Sequence, residues 1–193
     1  PIKTPKPDEG KIRLWPSGRK WVALTYDDGP HPEWTPKMME LLRSKNVKAT
    51  FYLLGQEIKR FPDITRQIAQ NGFEIGNHTV THPNFYQSKY TPDVIRKELS
   101  EANDLIKEYA GLTEVRTMRP PFGNTPKKLE QVCTELGLNI IAWNIDTDDW
   151  NSKTDSTKMV DLVMKGLGDG AIILMHDRHQ KTYDTTAEII DKI

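Results

Sequence analysis

An α/β fold of parallel strands covered by helices follows from three features of the 193-residue sequence. Short β-rich runs alternate with segments of helical period along nearly the whole chain. The helical segments carry their own boundaries: three of the first five open with Thr-Pro, and four have a glycine at or just past their end. The length suits one domain with a sizeable core. Such alternation places parallel strands beneath helices, either as an open sheet or as a barrel.

The elements follow in order. "WVALTY" (21–26) is the first strand run, and "TPKMMELLRSK" (35–45) the first helix. "ATFYLLG" (49–55) precedes the helix "DITRQIAQNG" (63–72). "FEIGNH" (73–78) precedes the longest helix, "TPDVIRKELSEANDLIKEYAG" (91–111). "RTMRPP" (116–121) is followed by "TPKKLEQVCTELG" (125–137), and "LNIIAWNID" (138–146) by "STKMVDLVMKGLG" (156–168). "AIILMHD" (171–177) and the helical "TTAEIIDKI" (185–193) close a count of six strands and six helices. Each Thr-Pro is expected to place a capping hydroxyl ahead of a proline in the first turn, and each glycine to supply a left-handed stop. No Gly-rich phosphate loop follows the first strand, which argues against a nucleotide site.

Residues 1–20, with four prolines and several lysines, read as an extended linker, so the expected domain spans 21–193. Lys plus Arg equals Asp plus Glu at 27 each, so no global field draws the protein to nucleic acid or acidic lipid, and a neutral substrate is expected. No apolar run reaches the roughly 18 residues of a membrane span. Cys133 is the single cysteine, which excludes an internal disulfide and a cysteine zinc cage. It is expected to fill space on its helix.

In folds of this class the chemistry gathers at the carboxyl ends of the strands. The polar residues that look out of place fall there. Asp27 and Asp28 follow the first strand, His78 and His82 the third, and Arg119 the fourth. Asp146, Asp148, Asp149 and Trp150 follow the fifth strand, and His176 and Asp177 the sixth. Singly, each has an ordinary reading. The two aspartates could form a turn, Arg119 before two prolines a rigid surface bend, and His176 a satisfied core histidine. His78 and His82 have ligand spacing, although Pro83 disfavours a helix there and points to a tight loop. His31 and His179 read as loop residues, and the sequon at Asn77 as coincidence. Together, two histidines and a carboxylate make a three-ligand set with an open position, the mark of a catalytic metal. One of the adjacent aspartates would then be a ligand and the other a base.

Read in order, "TYDDGP", "HTVTH", "RPPFG", "DTDDW" and "LMHD" resemble the five motifs of the carbohydrate esterase family 4 polysaccharide deacetylases, the NodB homology domain. Tyr26 stands where phenylalanine is usual. The resemblance runs from about Trp21 to the C-terminus. It implies a distorted (β/α)7-type barrel. With six strands counted, the last strand is expected to be missing at the C-terminus and the barrel open beside its first strand. It implies that Asp28, His78 and His82 hold one divalent ion, usually Zn²⁺, with Co²⁺, Ni²⁺ or Mn²⁺ as alternatives. Asp27 would be the general base and His176 the general acid, with Arg119 holding Asp27 and Asp149 tuning His176. Trp150 and Leu174 would line the groove and acetyl pocket. Phe122, where tyrosine is common, would offer an oxyanion-stabilising backbone N–H.

The activity implied is hydrolytic deacetylation of a neutral polysaccharide, N-acetylglucosamine polymers (peptidoglycan or chitin-like) ahead of acetylxylan. A non-catalytic carbohydrate-binding module would be expected to have lost Asp27, a ligand or His176, and all are present. The expected partner is an acetylated poly- or oligosaccharide, with no nucleic acid and no membrane span. The protein is expected to be monomeric and extracellular or cell-wall associated.

Overall fold

The computed structural model describes residues 11–12 and 20–193, so most of the expected linker lies outside the described residues. Eight parallel strands are described: β1 (Lys11–Ile12), β2 (Val22–Gly29), β3 (Thr50–Leu53), β4 (Glu74–Asn77), β5 (Thr117–Met118), β6 (Asn139–Ile141), β7 (Ile145–Asp146) and β8 (Ala171–His176). The sheet order is β1-β6-β5-β4-β3-β2-β8-β7. The helices are α1 (Trp34–Ser44), α2 (Gly55–Arg60), α3 (Pro62–Gln70), α4 (Pro92–Ala110), α5 (Lys127–Glu135), α6 (Ser156–Gly166) and α7 (Gln180–Lys192).

This order forces curvature. Laid flat, β6 and β7 would stand six strand spacings apart, about 29 Å. Only Ala142, Trp143 and Asn144 join them, a link that reaches about 14 Å at full stretch. The sheet therefore curls on itself as a distorted (β/α)7-type barrel. The predicted fifth strand is split at this seam: its first half pairs with β5 and β1, its second with β8. Asn144 marks the change of partner. Its N–H donates to Ile172 O (3.2 Å) and its Oδ1 accepts from Ile172 N–H (2.7 Å).

The expected opening beside the first strand is corrected. β2 is paired on both sides, with β3 and with β8, and Val22 aligns with Ala171. The sixth predicted strand takes the place where the gap was expected. Two local expectations also change. Of the three Thr-Pro hydroxyls only Thr91 caps its helix, accepting from Val94 N–H, while those of Thr35 and Thr125 serve other partners. The strand run expected over 49–55 ends at Leu53, and Gly55 opens the short helix α2, whose other residues fall in none of the expected elements.

The main core lies between the sheet and its helices, with Phe51, Met38, Leu42, Ile95, Leu99 and Met175 fully buried. Tyr52, Ile141 and Ile172 form a smaller, separate cluster, with Trp143 packed against it. Gly76 makes room for it, because a Cβ there would meet the Tyr52 ring at 2.3 Å. Cys133 is buried as expected, and burial pushes its thiol up to about 12, which keeps it inert. Among the described residues no helix is long and apolar enough to cross a membrane.

Candidate active site

Neighbouring residues of a strand point to opposite faces, so two adjacent aspartates should not share a site. A bulge brings them together. Asp27 aligns with Tyr52 and Gly29 with Leu53, leaving Asp28 as the extra residue, at φ 71°. The left-handed backbone is unfavourable for a residue with a Cβ. Four other non-glycine residues at strand-end loops share it: Thr79, His82, Phe122 and Asp148. Strain concentrated on one rim is the mark of a site whose surroundings enforce its geometry.

Asp28, His78 and His82 converge, with one ligand atom from each lying within 4.8 Å of the others. Asp28 Oδ1 is 3.4 Å from His78 Nε2 and 3.5 Å from His82 Nε2, and it is buried without a hydrogen-bond partner. His78 Nδ1–H donates to Arg119 O (2.7 Å), which turns Nε2 toward Asp28. Burial opposes charge on His78, but Asp27 and Asp28 outweigh it and raise its pKa while the imidazole has only carboxylates before it. The loop between the histidines is tight and non-helical, as Pro83 required. Asn77 Oδ1 accepts from Thr79 N–H (2.7 Å), and Thr79 Oγ1 accepts from His82 N–H (3.1 Å). Burial and the charge of His78 lower the pKa of His82, favouring the neutral, ligating imidazole. Burial opposes ionisation of Asp28, but the charge of the adjoining His78, with smaller contributions from His176 and His82, outweighs it and holds the carboxyl well below its usual range. An orphaned, ionised carboxylate oxygen facing two imidazole nitrogens fits a divalent cation of the zinc type.

Asp27 lies deeper. Arg119, fully buried, donates from Nη1 to Asp27 Oδ1 (2.8 Å) and to Thr25 Oγ1 (2.7 Å). Its Nε and Nη2 donate to Ile141 O (3.2 Å) and Ala142 O (3.1 Å), two carbonyls at the seam where the strand changes partner. The guanidinium also lies 4.3 Å over the Tyr52 ring. Arg119 therefore satisfies the barrel seam and fixes Asp27 with one side chain. Asp27 Oδ2 remains clear of it, 3.8 Å from His78 Nε2.

His176 ends β8. Its Nδ1–H donates to Asp149 Oδ1 and its backbone N–H to Asp149 Oδ2, both at 2.7 Å, and Thr182 Oγ1–H adds a third bond to Asp149 (2.8 Å). Burial works against charge on His176. The Asp149 hydrogen bond and the charges of Asp149, Asp27 and Asp28 prevail and push its pKa up to about 9.

Asp27, Asp28, His78, His82, Phe122, Trp150, Leu174 and His176 line one cavity of about 470 Å³. Arg119 and Asp149 stand behind it, each on the residue it was expected to serve. Phe122 packs against His82 with ring centroids 4.6 Å apart, and Phe122 and Trp150, 62% and 63% exposed, present two rings to the same cavity. Pro120, Trp143 and Asp146 also line the cavity. Trp143 had no signal as a site residue, since it sits inside an apolar run. Thr182, which braces Asp149 from behind, was equally silent, whereas Thr25 stood inside a quoted motif and Asn77 drew notice only as a sequon.

A family model described as polysaccharide deacetylase matches residues 16–141. A peptidoglycan-N-acetylglucosamine deacetylase of Bacillus cereus is 35% identical over 178 residues, covering 92% of this chain and 63% of that protein. A chitooligosaccharide deacetylase of Azorhizobium caulinodans is 33% identical over 156 residues, 81% of this chain and 73% of that protein. A family 4 carbohydrate esterase from Streptomyces lividans, solved with acetate, superposes with a TM-score of 0.83 at 31% identity, covering 90% and 87% of the two chains. A pseudoenzyme of the same family from Bacillus anthracis superposes with a TM-score of 0.86 at 30% identity, over 94% of this chain and 63% of that one. The chain spans 63% of the Bacillus cereus relative and 38% of a Listeria monocytogenes peptidoglycan-N-acetylglucosamine deacetylase.

Proposed function

The chain belongs to the polysaccharide deacetylase family, and from that premise we propose that it is a metal-dependent hydrolase removing N-acetyl groups from N-acetylglucosamine polymers. One observation carries this reading. The orphaned Asp28 oxygen between two imidazoles shares a cavity with Asp27 and His176, each braced by an oppositely charged partner. Similarity of fold alone does not separate enzyme from pseudoenzyme, since the Bacillus anthracis protein superposes as well as the others. The residues favour an enzyme, because none of the groups that the chemistry needs is missing.

Held by Asp28, His78 and His82, a divalent ion, with Zn²⁺ favoured by the donor set, would polarise the acetyl carbonyl and acidify water. The chain supplies the remaining steps. Arg119 occupies Asp27 Oδ1, so Oδ2 is the oxygen that takes the water proton. The turn at Phe122, at φ 58°, offers a backbone N–H to the developing oxyanion. His176, protonated at neutral pH, gives its Nε2 proton to the departing nitrogen while Asp149 holds Nδ1. An amine is a poor leaving group until protonated, so an acid with a pKa near 9 suits an amide more than an ester. Phe122 and Trp150 flank the cavity as platforms for sugar faces.

Acetate release from N-acetylated chitooligosaccharides, peptidoglycan and acetylxylan, assayed in parallel with and without chelator, tests the proposal. We expect release from the N-acetylated substrates, abolished by chelation and restored by Zn²⁺. Release from acetylxylan alone would make the chain an esterase, and full activity after chelation would end the metal reading. A peptidoglycan substrate would put the protein outside the cell or at its wall.

A further inference from the structure

Asp177 follows His176 and has no part in the chemistry above, yet its side chain is fully buried. Oδ2 accepts a hydrogen bond from Thr35 Oγ1, and that hydroxyl in turn accepts from His31 N–H (2.7 Å). Oδ1 has no hydrogen-bond partner. The carboxylate rests on Gly29, where a Cβ would come within 2.9 Å of Oδ1. The next residue, Arg178, donates from Nη1 to Asp28 O (3.4 Å). The turn from Asp28 to His31 is thus gripped from the end of β8 and from the first turn of α1.

This grip accounts for the persistence of the bulge. An aspartate tolerates a left-handed backbone better than most residues, but it is held there inside a strand only by its surroundings. Released, Asp28 would relax toward an ordinary strand conformation and swing its carboxylate away from the histidines. Gly29 then has a reason to be glycine that is separate from turn freedom: it lets Asp177 approach the backbone directly behind the bulge.

We propose that Asp177 is a positioning residue for metal binding. Through Thr35 and its contact with Gly29 it fixes the bulge that aims Asp28 at His78 and His82. The proposal rests on the reading of Asp28 as a ligand. A carboxylate that merely stabilised the start of α1 would affect melting and leave metal affinity alone.

The experiment strips the protein of metal and titrates Zn²⁺ against a chromophoric chelator, with the visible spectrum of the Co²⁺ form as a report on coordination. Asp177→Ala and Thr35→Val should each weaken Zn²⁺ binding by about 10- to 100-fold, the range found when groups supporting a ligand are removed, and should alter the Co²⁺ spectrum. Asp177→Asn fills the same space and still accepts from Thr35, so its affinity should stay close to the parent's. Unchanged affinity in both Asp177→Ala and Thr35→Val would overturn the proposal. So would equal losses in Asp177→Asn and Asp177→Ala, because charge and not placement would then be at work. If Asp177→Ala does not fold, Thr35→Val and Asp177→Asn decide by the same criteria. A parent protein that bound neither ion would instead defeat the metal reading itself.

Discussion

Asp27 is braced from inside the barrel, whereas His176 is braced from its rim. The partner of Asp27 is a guanidinium with no solvent exposure, itself bound to the carbonyls of the seam. The partner of His176 is a carboxylate on the loop after β7, tied to α7 through Thr182, and the imidazole keeps 16% of its surface exposed. The proposed base thus depends on the integrity of the barrel, and the proposed acid on one loop and one helix. Asp149 is as buried as Arg119, so the difference lies in the groups they serve: a deep Asp27 is costly to leave unpaired, while a His176 that loses its partner can be re-solvated or give up its proton. Damage on the base side should therefore appear as lost fold or lost chemistry, and damage on the acid side as a shifted pH dependence.

The largest effect should come from dividing the two neighbouring aspartates. Asp27→Asn should cut turnover by roughly 10²- to 10⁴-fold, as removal of a positioned general base does, with metal content retained. Asp28→Asn should lose metal and activity together. Metal analysis beside rates decides it: metal lost from Asp27→Asn and kept by Asp28→Asn would reverse the assignment and erase the contrast between a deep base and a metal ligand.

Next in size is Arg119→Met. It leaves the Asp27 carboxylate buried without a countercharge and strips the seam carbonyls of their donors, so unfolding free energy should fall by about 3–5 kcal/mol in denaturant titrations. A small loss would mean that water enters the barrel and the base side is less dry than its burial indicates.

The smallest and most selective effect belongs to Asp149→Asn. The raised pKa of His176 means that the folded state binds its proton more tightly than the unfolded chain does. The resulting stabilisation is complete below the ordinary value of 6.5 and is lost as pH rises toward about 9. In the metal-free protein, His176 should titrate near 9 by NMR, and Asp149→Asn should bring it down toward 6.5 while flattening stability over that window. An unchanged titration would remove Asp149 from any tuning role.

The parts of this molecule legible in its sequence are those written into local chemistry. Alternating runs gave the layers, and polar residues at strand ends gave the rim, because packing alone seldom sets a carboxylate or imidazole directly after an apolar run. The partner change inside "LNIIAWNID" was not legible, since an unbroken apolar run does not reveal which strand it lies against. Asn144 was the one signal available. The bulge was hidden for a related reason: two aspartates in a row read the same whether they alternate across a sheet or share a face. Thr35 misled, because a hydroxyl ahead of a proline looks like a cap, whereas here it reaches a residue far along the chain, Asp177.

The position of β8 between β2 and β7 also bears on how the chain is made. β2 leaves the ribosome ahead of β3, which soon joins it, but its other edge has no partner until Ala171–His176 has been synthesised. Through that interval an apolar strand edge stays available to other chains, the condition that favours aggregation during biogenesis. The two residues proposed to work as base and acid, Asp27 and His176, face each other in register across this last-formed pairing. A nascent chain therefore brings its proposed base and acid together in the same step that covers this edge of β2.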